Sequence, residues 1–380
     1  MERDQLKALV RDTGAAVERS GAMFLGDAAA RQKAEGTFNA ERLTLNAEGP
    51  ELGWLGIATG GTSGGVKFAR HDEVTLGAAV RGFCAHFGMD RVNAVDVLPT
   101  YHVSGLMARV RCAATGGTHV AWDWKRLEAG ERPALVRGRG DWVLSLVPTQ
   151  LQRLLGAAEA VAWLRGFKVI FVGGGPVWAE LADVAARAEL PLSLSYGMTE
   201  TAAMVTALKP EEFLGGARSC GTALPHAAVT LDGEGVITVA GESVFRGYWP
   251  DARAAREFRT EDLGRVDERG HLHVLGRRDA VIITGGKKVQ PAEVEAALRA
   301  SGEFADVAVV GVPDAEWGEA VVACYPAGGR VPDAERALAN LSGAAKPKRV
   351  MAVAEWPRNA QGKINRAAIA AAARTALRGE

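Results

Sequence analysis

An α/β protein in two parts is what the apolar pattern predicts. A large layered N-terminal domain spans residues 1–275 and ends in a small β-subdomain, and a small α+β domain spans 276–380. Three observations carry this. Between Val92 and Ala188, short apolar runs alternate with helically spaced segments, the rhythm of a sheet covered by helices. From Ala227 to Leu275 the texture becomes short alternating segments broken by Asp232-Gly233, Gly235 and Glu268-Arg269-Gly270, the punctuation of hairpins. Beyond Gly276 a helix, two strands and an Ala-rich helix follow.

In chain order, residues 92–98 read as a strand, 104–114 as a helix and 142–147 as a strand; a helix then starts at 150–155. Residues 168–172 are the next strand and 176–188 the next helix, and 192–195 form a short strand leading into Tyr196. Pro291 sits in the first turn of a helix over 291–300, with Val294, Ala297 and Leu298 at helical spacing. Residues 306–312 and 320–325 are strands, and 365–377 the closing helix. No repeat or low-complexity linker interrupts the series.

The 48% hydrophobic and 24% charged content of the 380 residues can bury a large core, and the zero net charge gives no pull toward nucleic acid or an anionic membrane. Cys84, Cys112, Cys220 and Cys324 lack CxxC spacing, so buried free thiols in a reducing cytoplasm are expected rather than a zinc site or disulfides. No apolar run approaches ~20 residues and the start carries no basic leader pattern, so neither a membrane span nor secretion is expected. A homo-oligomer is left open.

The loop Thr59-Gly-Gly-Thr-Ser-Gly-Gly-Val-Lys67 follows an apolar run. Its glycines free backbone N–H groups for an anion, the Thr62 and Ser63 hydroxyls add donors, and Lys67 adds charge. Phe68 stands where a Walker loop needs Ser or Thr, so this is not one. On the loop alone, a phosphate cradle and a plain turn between strand and helix both stand. So does the hydrolase elbow Gly61-Thr-Ser63-Gly-Gly65, which would need an Asp and then a His downstream, with Asp262 and His271 as candidates, and leaves Glu200 and Lys363 without roles. Glu200, in Tyr196-Gly-Met-Thr-Glu200, would project from a strand's carboxyl end and there can hold Mg²⁺; a capping Glu at a helix start is the other reading. Asp262 suits ribose hydroxyls, and Arg277, in Gly276-Arg277-Arg-Asp279, adds a charge-assisted bond; a surface salt bridge is the alternative. Lys363, in the polar turn 357–362 and its edge, suits growing negative charge, though an exposed turn lysine is usually only solubilising.

In their order, these motifs resemble the adenylate-forming superfamily of acyl-CoA synthetases, luciferases and adenylation domains, from about Leu55 to Lys363. The carrying residues are Thr59-Gly-Gly-Thr-Ser-Gly64, Leu98-Pro-Thr-Tyr-His-Val-Ser-Gly105, Ser145-Leu-Val-Pro-Thr-Gln150, Tyr196-Gly-Met-Thr-Glu-Thr201, Ser219-Cys-Gly221 and Thr284-Gly-Gly-Lys-Lys-Val-Gln-Pro291. The text around them is similar to the 2-succinylbenzoate–CoA ligases of menaquinone and phylloquinone biosynthesis.

The resemblance implies a carboxylic acid activated by ATP with Mg²⁺ and passed to coenzyme A. It implies that Thr59, Gly60, Gly61, Thr62, Ser63, Gly64 and Lys67 clasp phosphates, that Gly174, Tyr196, Gly197 and Thr199 meet the nucleotide, and that Glu200 holds Mg²⁺. Asp262 and Arg277 would hold ribose, and Lys363 would drive adenylation. Asp279 would be the hinge of a mobile small domain that brings Gly285, Gly286 and Lys287 to coenzyme A. His102, Ser104, Gly173 and Gly175 would wall the acid pocket, the glycines by letting ligands approach the backbone. Two departures stand out. Relatives carry a longer segment before the phosphate loop, so a shortened N-terminal subdomain is expected, its exposed face covered by a partner or packed differently. Gly60 and Val66 replace the Ser and Pro usual in the wider family. A degenerate nucleotide-binding relative is the third reading.

Overall fold

The structure is a computed structural model and describes residues 1–19, 21–30, 32, 53–60, 66–136, 141–175, 177–251, 256–304, 306–358 and 364–378. The first sheet holds β1 (Ala16–Arg19), β2 (Ala22–Leu25), β3 (Leu55–Gly60) and β4 (Val66–His71) in that order. β2 and β3 run parallel, while β3 and β4 are antiparallel with Thr59 opposite Lys67. The helix Arg3–Arg11 buries Leu6 and Val10 against Met23, Leu25, Trp54, Ile57, Leu106 and Val110. A plain turn from strand to helix was one of the readings left open at 59–67. The structure instead makes these residues the ends of two paired strands, with 61–65 outside the described residues. The reason lies on the far side of β4, where Trp249 donates its N–H to the Phe68 carbonyl (2.9 Å) and Arg70 its own to Gly247 (2.9 Å). Phe68 and Ala69 are buried, so β4 is a covered strand.

The central sheet contains β5 (Val92–Asp96), β6 (His119–Ala121), β7 (Asp141–Leu146), β8 (Val169–Val172), β9 (Leu192–Met198), β10 (Ala203–Ala207) and β11 (Thr222–Ala223). Their order is β11-β10-β9-β8-β7-β5-β6, with β6, β5, β7, β8 and β9 parallel. One face sets Leu144, Leu146, Ile170, Val172 and Leu192 against the helices Pro148–Leu155, Ala158–Leu164 and Ala179–Arg187. The other sets Val143, Val169 and Phe171 against Glu73–Phe87 and Val103–Thr115. Burial on both faces is why these strands read as unbroken apolar runs. Phe171 meets Phe83 and Phe87 at centroid distances of 5.4 and 5.1 Å, and each such contact adds roughly 0.5–1.5 kcal/mol beyond its area. The chain leaves β5 for β6 on one side and returns to β7 on the other, so the carboxyl ends of β5 and β7 flank a topological switch point.

The hairpins expected after Ala227 form an antiparallel sheet of β12 (Ala227–Leu231), β13 (Val236–Gly241), β14 (Glu257–Val266) and β15 (Leu272–Arg277). Asp232 fixes the first turn by accepting the N–H groups of Glu234 and Val236, both at 2.9 Å. The last sheet holds β16 (Ile282–Thr284), β17 (Lys287–Val289), β18 (Ala308–Asp314), β19 (Gly318–Pro326) and β20 (Arg349–Val353). Pro291–Ala300 covers one face through Val294 and Leu298, and Arg366–Arg378 the other through Ile369 and Ala373. The helix Pro291–Ala300 also rests on β15 and on Ala179–Arg187, with the Arg299 guanidinium 5.7 Å above the Trp178 ring.

The packing of His226 has a measurable consequence. Neither ring nitrogen has a hydrogen-bond partner among the described residues, and burial, followed by the charges of Arg111 and Arg81, lowers its pKa from 6.5 to about 4. The unfolded chain therefore binds a proton that the folded chain refuses between these values. This group's contribution to stability is complete above pH 6.5 and is lost as the pH falls toward 4. The urea midpoint is expected to fall across that window, and less so in His226→Gln; equal slopes would refute the assignment.

Candidate active site

The Glu200 turn lies where β9 ends. Thr199–Thr201 form a single 3₁₀ turn that joins β9 to its antiparallel neighbour β10, so Glu200 sits just past the strand end rather than on it. Glu200 is 7% exposed. Its Oε1 accepts a 2.6 Å hydrogen bond from the Tyr248 hydroxyl and a long 3.5 Å one from the Thr59 hydroxyl. Its Oε2 takes none among the described residues. The Glu200 carbonyl accepts the Phe245 N–H at 2.8 Å. Lys67 places its ammonium 5.2 Å over the Tyr248 ring. Burial and the neighbouring Glu200 carboxylate push the Tyr248 phenol well above its usual range, so it remains a donor, while Arg277 pulls in the other direction.

A second cluster begins on the same strand, β9. Tyr196, on β9, donates its hydroxyl to Asp262 Oδ2 at 2.8 Å, and burial with the Asp262 charge raises its phenol in the same way. Asp262 stands opposite Arg277 in the β14–β15 register, with the guanidinium 3.6 Å from Oδ1. Arg277 instead makes its close bidentate bonds to Asp279, both 2.7 Å, and this pairing is the first cause of its raised pKa. Asp262 therefore keeps one carboxylate oxygen only loosely engaged beside a cation. This suits an acceptor for paired hydroxyls.

The remaining residues singled out from the sequence divide three ways. His102 N-caps Val103–Thr115 after β5, with its ring 4.5 Å from that of Tyr101, and Ser104 lies in the first turn. Gly173, Gly174 and Gly175 follow β8 on the same carboxyl edge. A Cβ on Gly175 would meet nothing within 4 Å, so protein packing does not require that glycine, whereas Gly174 adopts φ +77. Gly285 and Gly286 form the two-residue loop between β16 and β17 with φ of 54 and 73, the left-handed values such a hairpin needs, and Lys287 beside them is exposed. They belong to the last sheet, apart from the Glu200 turn. Gly61, Thr62, Ser63, Gly64 and Lys363 lie outside the described residues.

Of the hydrolase alternative, the described residues hold only Asp262 and His271, and each has other partners. Asp262 bonds Tyr196, whereas His271 takes the Ser219 hydroxyl on Nδ1 (3.1 Å) and faces Glu212 from Nε2 (3.3 Å). Ser219 and His271 are 4% and 5% exposed, and Ser219 also accepts the Gly221 N–H, so the serine and histidine of this triad-like row are packed inside and only Glu212 reaches solvent. Among the described residues no group of three or more His, Cys, Asp or Glu could hold a metal, and no helix is long and apolar enough to cross a membrane. The four cysteines are free. Glu200 with Thr59 fits a Mg²⁺ carried by a nucleotide, which needs one or two carboxylates plus phosphate oxygens, and does not fit a resident metal cage. The sequence reading missed Tyr248 and His71. Tyr248 has a signal in the aromatic cluster Phe245-Arg-Gly-Tyr-Trp249; His71 has none.

The chain matches the AMP-binding enzyme family over residues 30–249 and the AMP-binding enzyme C-terminal domain over 293–363. It is 32% identical over 278 residues to 2-succinylbenzoate–CoA ligase of Listeria monocytogenes serotype 4b, covering 71% of this chain and 59% of that protein's length. It is 33% identical over 341 residues to indoleacetate–CoA ligase of Aromatoleum aromaticum, covering 84% and 67%. In structure it is similar to O-succinylbenzoate coenzyme A synthetase from Bacillus subtilis in complex with AMP, with a TM-score of 0.71, 25% identity and coverage of 83% and 69%. Two family matches in the right order, together with the Glu200 turn after β9 and the Asp262 acceptor bonded to Tyr196 of that strand, give one conclusion: the chain belongs to the AMP-binding enzyme family of the adenylate-forming superfamily.

Proposed function

We propose that the chain is an AMP-forming acid–thiol ligase that activates 2-succinylbenzoate and transfers it to coenzyme A in the cytoplasm. A carboxylate oxygen of the acid attacks the α-phosphorus of ATP, breaking the bond to pyrophosphate and forming an acyl-adenylate. The coenzyme A thiolate then attacks the acyl carbon and AMP leaves with the bonding pair. The observation that carries the reading is the convergence of Glu200, held by Tyr248 and Thr59, with the Tyr196–Asp262–Arg277 cluster.

In this reading Asp262 accepts the ribose hydroxyls, and the glycines at 60, 61 and 64 with Thr59, Thr62, Ser63 and Lys67 hold the outer phosphates. Glu200 and Thr59 would hold Mg²⁺, which offsets phosphate charge as pyrophosphate leaves. Tyr196, Gly197, Thr199 and Gly174 border the base, and His102, Ser104, Gly173 and Gly175 the acid. Lys363 meets the negative charge that grows at the α-phosphate. Two domains, 1–275 and 276–380, pivot at Asp279, in the exposed 3₁₀ turn Arg278–Ala280 between the third and fourth sheets, and bring Gly285, Gly286 and Lys287 to coenzyme A. Pairing of Arg277 with Asp279 next to Asp262 gives that pivot a link to the nucleotide site. The indoleacetate relative supports a second reading, the same chemistry on another aryl acid.

The test is mass spectrometry of products formed from ATP, Mg²⁺, coenzyme A and an acid panel containing 2-succinylbenzoate and indoleacetate. Succinylbenzoyl-CoA and AMP are expected, with adenylate formation about 10²-fold lower in Lys363→Ala and nucleotide binding kept. A thioester from a different acid alone overturns the substrate. No adenylate from any acid favours the degenerate binder.

A further inference from the structure

We infer that His71 is a positioning residue for Glu200, joining the phosphate hairpin to the acidic turn. The inference rests on Glu200 serving the nucleotide's Mg²⁺. His71 is the last residue of β4 and is 0% exposed. Its Nε2 lies 2.7 Å from the Thr199 carbonyl and its Nδ1 3.1 Å from the Thr75 hydroxyl. A carbonyl only accepts, so the proton is on Nε2 and Nδ1 is the acceptor toward Thr75.

The ring is fixed from behind. Thr75 Oγ1 accepts the Asp72 N–H (3.0 Å), and the Asp72 carboxylate accepts the Thr75 N–H (2.9 Å), which caps the helix Glu73–Phe87. Asp72 is in turn paired with Arg246 at 2.9 Å, both side chains under a tenth exposed. His71 thus presents its N–H from a rigid base. What it grips is the peptide that leads into Glu200, and the peptide that follows is gripped by the Phe245 N–H at 2.8 Å. Both planes flanking Glu200 are therefore held from outside the turn.

The turn needs such support. Ala202 and Ala203 lie at φ 52 and 80, left-handed values that cost a residue with a side chain roughly 1–3 kcal/mol each. Because β4 pairs with β3, the bond from His71 also sets Glu200 relative to Thr59, whose hydroxyl is 3.5 Å from the carboxylate. A Mg²⁺ held by Glu200 would depend on that separation.

The test compares full-length wild type, His71→Leu, which keeps bulk without a donor, and His71→Gln, whose amide N–H can reach the carbonyl. Thermal melts establish folding, and calorimetry measures α,β-methylene-ATP with Mg²⁺ and with EDTA. The leucine variant is expected to lose about tenfold in affinity with Mg²⁺ and none with EDTA, and glutamine to restore most of it. A folded His71→Leu that binds like wild type, or that loses affinity equally in both conditions, overturns the inference. If leucine prevents folding, His71→Asn takes its place: its shorter side chain should lose the Mg²⁺-dependent part that glutamine keeps, and equal behaviour overturns the inference. Glu200→Gln, run alongside, separates the layers. Unchanged Mg²⁺ dependence there overturns the metal reading of Glu200 itself, whereas its loss there together with a normal His71→Leu overturns only the role of His71.

Discussion

Gly197→Ala is expected to destabilise the fold by at least ~3 kcal/mol and to remove activity with it. A Cβ on Gly197 would lie 2.0 Å from the Ala203 carbonyl oxygen and 2.5 Å from Met204 Cα. Both are backbone atoms of the neighbouring strand, with Gly197 facing Met204 in the register, so no side chain can swing aside. Relief requires β10 to move off β9. That movement breaks the turn at its tightest point, where Thr201 Oγ1 receives the Met198 N–H (3.0 Å) and sits 2.7 Å from the Ala203 carbonyl. It also shifts Tyr196 and Glu200, one on each side of the substitution. Gly175→Ala is the control, since its new Cβ meets nothing within 4 Å and its urea midpoint should match wild type. A Gly197→Ala unfolding free energy within about 1 kcal/mol of wild type would show that the two strands are not packed this closely.

The layers were legible because burial leaves a local trace. β5, β7 and β8 are covered on both faces and appear as apolar runs, and Pro291 marks the start of its helix to the residue. Asp232 and the nearby glycines gave the third sheet its hairpins. Where the trace failed, the cause lies far away in the chain. β4 is buried by residues around 247–249, so Val66-Lys-Phe-Ala-Arg-His71 shows no clean alternation, and a turn into a helix stayed open for the loop before it. Tyr248 and His71 reach their partners across 48 and 128 residues, and neither period nor composition records such a bond. Glu200 and Asp262 were found through residue type and order. What the structure adds is that each is held by a tyrosine hydroxyl, Glu200 by Tyr248 and Asp262 by Tyr196. Gly197, grouped with the nucleotide contacts from its motif, has a packing reason of its own.

Glu200→Gln is expected to lower adenylate formation by about 10³-fold while the fold persists, because the substitution removes charge and almost nothing else. Glutamine keeps the volume of the buried side chain, and its amide oxygen can still accept from Tyr248, whose own pKa is held high by burial and keeps it a donor. The backbone bonds from His71 and Phe245 are untouched. If Glu200 merely capped the turn, this change would cost about 1 kcal/mol of stability and leave chemistry alone. A metal-binding role predicts the reverse pattern: an unchanged urea midpoint, weakened ATP binding with Mg²⁺, and AMP binding near wild type because AMP lacks the outer phosphates that share the ion. Tyr248→Phe should fall between, losing roughly tenfold, since the carboxylate keeps its charge but not the 2.6 Å bond that aims it. Single-turnover adenylation by the three proteins at fixed ATP over a range of Mg²⁺ decides the matter. A threefold or smaller loss in Glu200→Gln would reduce Glu200 to a structural cap and move the search for the metal's carboxylate elsewhere, with Asp262, bonded to Tyr196 of β9, the next to test.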